Sequence, residues 1–402
     1  MKILVINSGS SSIKYQLFEM EDQRVLTVGL VERIGLEMGR IKHKRFHGEE
    51  VTQVVKEMVI ENHRQGLHQV AALLLDGDQG VIKSPAEIEA VGHRVVHGGE
   101  TFSRTTIIDA EVQAKIKELI PLAPLHNPAN LIGIEVATEI FPTAIQVAVF
   151  DTAFHQTLPP AAYRYAIPNR FYDEHGIRVY GFHGTSHLYV SKQASAHLGR
   201  PAAETNLITA HLGNGCSITA VRGGQSVDTS MGFSPLAGLM MGSRSGDLDP
   251  AIIYFMGSKL GLSLTEIDQL LNKESGLLGI SGQSDLRDIR ARQLKGEAQA
   301  QLALEMYTYR LKKYIGAYCA VLGRVEALVF TAGVGENSAY VRWYACQGLE
   351  NLGIRLDAQK NERGVIAKVT EIQATDSLIK VLIIPTNEEL EIANQTLALV
   401  TR

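Results

Sequence analysis

The chain carries the same strand pattern twice, and few folds accommodate that. Ile3 to Ile6 is a short apolar run that ends at Asn7 and is followed by Ser8-Gly9-Ser10-Ser11-Ser12. The next stretch alternates, with Ile13, Tyr15 and Leu17 on one face, and a third run extends from Val25 to Val31. This predicts strand, small-residue turn, strand, turn, strand. The plan returns later. Asn206 to Leu212 is strand-like, Gly213-Asn214-Gly215 turns, Cys216 to Val221 is strand-like, Arg222-Gly223-Gly224 turns, and Gln225 to Thr229 follows. Two such units roughly 200 residues apart predict a duplicated fold and not two unrelated domains.

A chain of 402 residues is also too long for one core, so two domains are expected. Strand-like runs alternate with helical patterns, the mark of an α/β protein. Ala303, Tyr307, Leu311, Tyr314 and Tyr318 fall at helical spacing and predict the buried stripe of a long helix. Ala327 to Phe330 and Lys380 to Ile384 predict strands that each run into a turn and a helix. A boundary is expected near Asp151, after the apolar run Val147 to Phe150. The net charge of −4 balances 39 basic against 43 acidic residues, so neither a nucleic-acid nor a membrane partner is implied. Cys216, Cys319 and Cys346 show no C-x-x-C spacing, which argues against a disulfide framework or a zinc cage and for reduced thiols. The opening run to Asn7 is too short for a signal peptide, and a cytoplasmic protein is expected.

Three small-residue turns could carry chemistry: Asn7 to Ser12, His211 to Gly215, and Gly333 to Asn337. Glycine and serine let backbone N–H groups approach a phosphate, although a tight turn needs the same residues for steric reasons alone. Neither a Walker-type G-x-x-x-x-G-K-[ST] nor a complete G-x-G-x-x-G occurs, which removes support for P-loop and dinucleotide folds. Three turns at strand ends favour a phosphate ligand. Arg94, His183 and Arg244 stand among glycines and apolar residues. Each reads either as a structural group, with Asp247 or Asp249 as partner for Arg244, or as a donor to a multiply charged phosphate. Pro385-Thr386-Asn387-Glu388-Glu389 opens a helix after a strand. Asn387 suits an N-cap, while Glu388 reads equally as a dipole partner or as a Mg²⁺ ligand. Asp151 reads as a polar strand end or a catalytic carboxylate.

Together these stretches resemble one family. NSGSSSIK at Asn7–Lys14, GHRVVHGG at Gly92–Gly99, PLAPLHNPAN at Pro121–Asn130, VAVFDTAFHQT at Val147–Thr157 and YGFHGTSH at Tyr180–His187 are similar to acetate kinases. So are AHLGNGCSI at Ala210–Ile218, DTSMGFSPL at Asp228–Leu236, MGSRSGDLDP at Met241–Pro250, FTAGVGENS at Phe330–Ser338 and IPTNEE at Ile384–Glu389. The resemblance runs collinearly along essentially the whole chain. It implies two duplicated RNase-H-like domains of the actin, sugar-kinase and chaperone-ATPase superfamily around a nucleotide cleft. The implied division is an N-terminal carboxylate kinase domain of residues 1–151 plus 385–402. A C-terminal nucleotide-binding and dimerisation domain of residues 152–384 completes it, in a homodimer.

By the same resemblance, Asn7 and Glu388 would hold Mg²⁺, or alternatively Mn²⁺. Lys14, His211, Leu212, Gly213, Asn214 and Gly215 would hold the phosphates of ATP or ADP. Asp285, Leu286 and Arg287, with Gly333, Val334, Gly335, Glu336 and Asn337, would bind the adenosine side. Arg94, His183 and Arg244 would neutralise the carboxylate and the transferring phosphoryl, with Asp151 as the catalytic carboxylate. Val96, Leu125, Phe182 and Pro235 would line the pocket for the substrate's alkyl end. The chain departs from the family in a loop at Ser281–Asp285 one residue shorter than usual, in Ala237 where many members carry Glu, and in Ser243 where Thr is usual. The implied reaction is transfer of the ATP γ-phosphoryl to acetate. A propionate kinase of the same family is the alternative, and a nucleotide-gated binding protein like actin or the chaperone ATPases is a more distant one. A phosphatase of the same superfamily would need a water-activating acid in place of a carboxylate site.

Overall fold

Strand β1 (Lys2–Ser8) lies inside a sheet because both of its faces are apolar. Ile3 and Val5 pack against Ile392 and Ala393 of the C-terminal helix Glu388–Val400. Leu4 and Ile6 face the other way, into a core with Leu67 and Leu74 of helix His63–Leu75 and Val136 of helix Asn127–Ile140. Each such aliphatic side chain stabilises the fold by roughly 2 kcal/mol on burial. Gly92 lets the C-terminal helix come close, since a Cβ there would meet Thr396 Oγ1 at 2.6 Å and Ile392 at 2.8 Å.

The computed structural model describes residues 1–48 and 50–401. The chain divides into two compact units, Met1–Ala153 with Asn387–Arg402, and Phe154–Thr386. In unit 1, β1 is followed by β2 (Ser12–Glu19), β3 (Arg24–Glu32), β4 (Gly39–His47), β5 (Glu50–Met58), β6 (Ala90–Val95), β7 (Thr106–Ile107) and β8 (Ile145–Phe150). Their order in the sheet is β5-β4-β3-β2-β1-β6-β8-β7. Unit 2 contains β9 (Asn206–Leu212), β10 (Cys216–Arg222), β11 (Gln225–Thr229), β12 (Ala327–Thr331), β13 (Thr370–Glu371) and β14 (Lys380–Ile383), in the order β11-β10-β9-β12-β14-β13.

The duplication read from the sequence is present. The run β3-β2-β1-β6-β8 matches β11-β10-β9-β12-β14 strand for strand. In both, the central strand, β1 or β9, pairs antiparallel with β2 or β10 and parallel with β6 or β12. One detail separates them. In unit 1 the parallel ladder between β1 and β6 stops at Ile6–His93, and both strands run on past it to Ser8 and Val95. In unit 2 the ladder between β9 and β12 continues to His211–Thr331, where β12 ends.

Two local expectations need correction. Gly333 to Asn337 is not a turn but most of the short helix Ala332–Asn337, which follows β12 directly. Ala332 makes the change of direction alone, with a φ of 62° that a non-glycine residue adopts at a cost. The long helix exists as Ala298–Leu322 with Ala303, Tyr307, Leu311 and Tyr318 buried, but Tyr314 is only half-buried. Its hydroxyl reaches Asp247 at 2.6 Å.

Candidate active site

Unit 1 brings its chemistry to the ends of β1, β6 and β8 and the start of the C-terminal helix. Arg94 on β6 donates through Nε to Asp151 Oδ2 at 3.0 Å and through Nη2 to the same oxygen. Its Nη1 donates to Asn7 Oδ1 at 3.3 Å, across the opening where β1 and β6 part. Asp151 is buried and Arg94 half-buried. Burial works against the guanidinium charge, but Asp151, Glu388 and Glu389 more than offset it and hold Arg94 ionised beyond the ordinary arginine range. Lys14 pairs across the ladder with Asn7, so the two side chains share a face of the sheet.

Glu388 is half-buried at the first position of the C-terminal helix, whose N-cap is Asn387, accepting from Leu390 N at 3.0 Å. Burial pushes the Glu388 carboxyl up to about 7, with Asp151 and Glu389 adding to the rise and Arg94 and Lys14 opposing it. Asn387 thus caps the helix, and Glu388 stands among the other charged groups of unit 1.

Unit 2 presents a different arrangement. Arg244 donates through Nη1 to the carbonyl of Pro235 at 3.2 Å and forms no ion pair among the described residues. Burial therefore lowers its pKa from the ordinary value. The expected structural partner, Asp247, is engaged elsewhere: Oδ1 accepts from Gly238 N at 2.7 Å and Oδ2 from Tyr314. It closes the loop that carries Arg244 and does not neutralise it. Asp249 caps its own turn by accepting from Ala251 N at 2.9 Å. Gly242 packs this loop onto the glycine turn after β9, because a Cβ there would stand 2.1 Å from Asn214 Oδ1. A Cβ on Gly215 would lie 3.6 Å from both Arg244 Nη1 and His183 Cε1, so these two side chains flank the turn.

His183 adopts a left-handed conformation, φ 57°, at the start of helix Gly184–His197. Its ring stacks on His211 with centroids 4.2 Å apart. Its Nδ1 lies 2.9 Å from Ser217 Oγ, and His187 Nε2 lies 2.7 Å from the same hydroxyl. Ser217 has one proton to give, so at least one of these rings donates to it. His211 Nδ1 meets Ser186 Oγ at 2.8 Å, and His155 Nε2 donates to the carbonyl of Phe182 at 3.0 Å. Burial, reinforced by His155 and His211, holds His187 neutral, well below the ordinary histidine range.

A cavity of about 790 Å³ within unit 2 gathers Gly213, Asn214, Asp285, Leu286, Arg287, Gly333, Val334 and Asn337 from the expected nucleotide set. Arg287 is 90% exposed and holds the Asp285 carboxyl well below its usual range. His211, Leu212, Gly215, Gly335 and Glu336 do not line this cavity. Leu212 is core. The carbonyls of Gly335 and Glu336 accept from the buried Arg342, each at 2.9 Å. Of the expected alkyl-pocket residues, Val96 and Phe182 are buried and Pro235 is half-buried, whereas Leu125 is 62% exposed.

Sequence reasoning gave no role to His155 or His187, although both stand inside quoted motifs, and His187 lies one helical turn after His183. It also missed Arg290, whose guanidinium sits 4.3 Å over the Tyr340 ring, and Glu362, all lining the cavity. Arg290 could have been found one turn beyond Arg287. Tyr340 and Glu362 had no local signal.

A model of the acetokinase family matches residues 2–394 of this chain. The acetate kinase of Thermotoga maritima is 54% identical over 404 residues, covering 100% of this chain and 99% of that protein. The acetate kinase of Methanosarcina thermophila is 52% identical, covering 98% and 96%. Among solved structures, the chain is similar to Porphyromonas gingivalis acetate kinase, with a TM-score of 0.93 and 47% identity over 99% of both chains. It is also similar to a propionate kinase from Francisella tularensis, with a TM-score of 0.91 and 44% identity over 99% of both chains.

Proposed function

The chain belongs to the acetokinase family, and we propose that it transfers the γ-phosphoryl group of ATP to acetate, giving acetyl phosphate and ADP, reversibly. The observation that carries the reading is Arg244: a half-buried cation without a carboxylate, beside the glycine turn at 213–215. A charge in that setting is stabilised by an anionic ligand, and phosphate oxygens suit a planar guanidinium fork.

Acetate is ionised near pH 7, so its attack on phosphorus needs no general base. What the reaction needs is in-line placement and cationic stabilisation of the equatorial oxygens. Arg94 binds the carboxylate, and Asp151 fixes the plane of its guanidinium by accepting from Nε and Nη2. Arg244 and His183 offer positive and N–H groups to the phosphoryl, and the cavity in unit 2 takes the nucleotide. The oxygen donors of Asn7 and Glu388 fit Mg²⁺, which favours one or two protein oxygens completed by phosphate and water. Among the described residues there is no cluster of three acidic, histidine or cysteine groups of the kind a metal cage needs. When bound, the ion supplies charge neutralisation to the phosphate oxygens.

Three buried free cysteines support a cytoplasmic setting, and among the described residues no helix is long and apolar enough to cross a membrane. The helix Ala251–Leu260 supports a homodimer. It has no buried residue, and Tyr254 and Phe255 stand 77% and 54% exposed. Static light scattering that returns a monomer mass would remove that part of the reading.

Incubation with Mg²⁺, ATP and acetate should give a product that hydroxylamine traps as a hydroxamate. ATP hydrolysis at equal rates with and without any carboxylate would favour a nucleotide-gated binding protein or a phosphatase instead.

A further inference from the structure

Within the motif Pro121–Asn130, the expected pocket residue Leu125 is exposed. The motif's two asparagines, Asn127 and Asn130, are buried in the first turn of helix Asn127–Ile140, at 0% and 2% exposure. They do different things. Both Asn127 bonds return to one residue: Oδ1 accepts from His97 N at 3.2 Å, and Nδ2 donates to His97 O at 3.1 Å. Asn130 instead spans two strands. Its Oδ1 accepts from Val96 N at 3.0 Å, and its Nδ2 donates to the carbonyl of Ser8 at 2.7 Å.

This bridge stands where the sheet opens. β1 keeps β2 as a partner to Ser8–Ile13, and β6 keeps β8 to Val95–Phe150, but β1 and β6 part after Ile6–His93. Parting leaves a carbonyl on one strand and an N–H just beyond the other without their ladder partners, in a buried setting where each needs one. A carboxamide has both an acceptor and a donor, so it can replace the missing peptide link. The reverse amide orientation would set N–H against N–H. The residues on either side of the opening are Asn7, next to Ser8, and Arg94 and Val96.

We propose that Asn130 is a positioning residue for the carboxylate substrate. Its side chain fixes the separation between the ends of β1 and β6, and with it the placement of Arg94 and Val96 relative to Asn7. This rests on the reading of Arg94 and Val96 as the carboxylate side of a kinase site.

The test is steady-state kinetics of the full-length chain with Asn130→Asp, and with Asn130→Ser, whose single hydroxyl cannot span both strands. Asp loses the donor to Ser8 and sets a charged oxygen against its carbonyl. The KM for acetate should rise about tenfold or more, while the KM for ATP stays within about twofold. KM does not depend on the fraction of active enzyme, so partial unfolding does not imitate the result. Asn127→Asp, which removes a bond of the same kind from the same helical turn, should shift the acetate KM far less. An unchanged acetate KM in both Asn130 variants overturns the proposal, as does a parallel rise for acetate and ATP. So does an equal shift in Asn127→Asp. A wild type with no carboxylate-dependent turnover would instead sink the functional reading, and this proposal with it.

Discussion

Unit 1 holds its arginine paired, and unit 2 holds its arginine bare. Arg94 meets Asp151 through two nitrogens and Asn7 through the third, whereas Arg244 has a carbonyl and no carboxylate. The sheets differ in the same sense: β1 and β6 open past Ile6–His93, while β9 and β12 stay paired to His211–Thr331. A paired guanidinium has little net charge to offer but a fixed plane, which suits orienting a small monoanion. An unpaired one carries a charge that a ligand will satisfy, which suits the negative charge spread over the equatorial oxygens of a phosphoryl group in transfer.

The comparison breaks most directly at these two side chains. Arg244→Ala should lower kcat by roughly 10²- to 10³-fold and leave the melting temperature unchanged or slightly raised. Arg94→Ala should also cost roughly 10²-fold, but with a clear fall in melting temperature, because the buried Asp151 carboxylate loses its guanidinium counter-charge, at about 3 kcal/mol. Lysine at either position should rescue poorly, since a point charge does not reproduce the fork. Turnover and thermal melts of the variants decide it. Equal destabilisation by both alanines would mean that Arg244 is as structural as Arg94.

How far the sequence reaches follows the same division. The strands β1 to β3 and β9 to β11 were legible because alternation and apolar runs are local properties of a sheet. The motifs also marked strand ends, since Asn7, Arg94 and Asp151 stand at or just past the ends of β1, β6 and β8. The use of Asp247 was not: nearness in sequence made it the obvious partner for Arg244, but the fold spends it on Gly238 N and Tyr314. The helix Ala332–Asn337 was hidden because Gly-Val-Gly reads as a turn, and nothing local marks Ala332 for a positive φ. Tyr340 and Glu362 reach the cavity through tertiary packing alone. The bridging role of Asn130 needed the register of two strands distant in sequence.

A smaller effect tests the metal side of unit 1. Glu388→Gln should raise the Mg²⁺ concentration for half-maximal activity by roughly tenfold. The melting temperature should hold or rise slightly. Asn387 supplies the cap through its own side chain, and glutamine removes a carboxylate that burial and its acidic neighbours disfavour. A marked drop in melting temperature with an unchanged Mg²⁺ requirement would assign Glu388 to the helix dipole alone.

The smallest expected effect lies at Val96, just past the end of β6 in the opening that unit 2 lacks. Its backbone is held by Asn130 and its side chain is buried. If Val96 lines the space for the substrate's alkyl end, its two methyl groups fill room that a longer acid would need. Acetate should therefore be preferred over propionate by the wild type. One methylene in an apolar pocket is worth only about 1–3 kcal/mol, so propionate should still react. Val96→Ala should raise kcat/KM for propionate relative to acetate by several-fold, since it removes two methyl groups where the extra carbon must lie. Acetate should lose some packing and change less. Arg94 is two residues away, so both acids must be measured in each protein: a loosened Arg94 lowers both together, and only a widened pocket changes their ratio. A wild type that already prefers propionate, or a ratio that Val96→Ala leaves untouched, would mean that the opening in unit 1 orients the carboxylate without measuring its length.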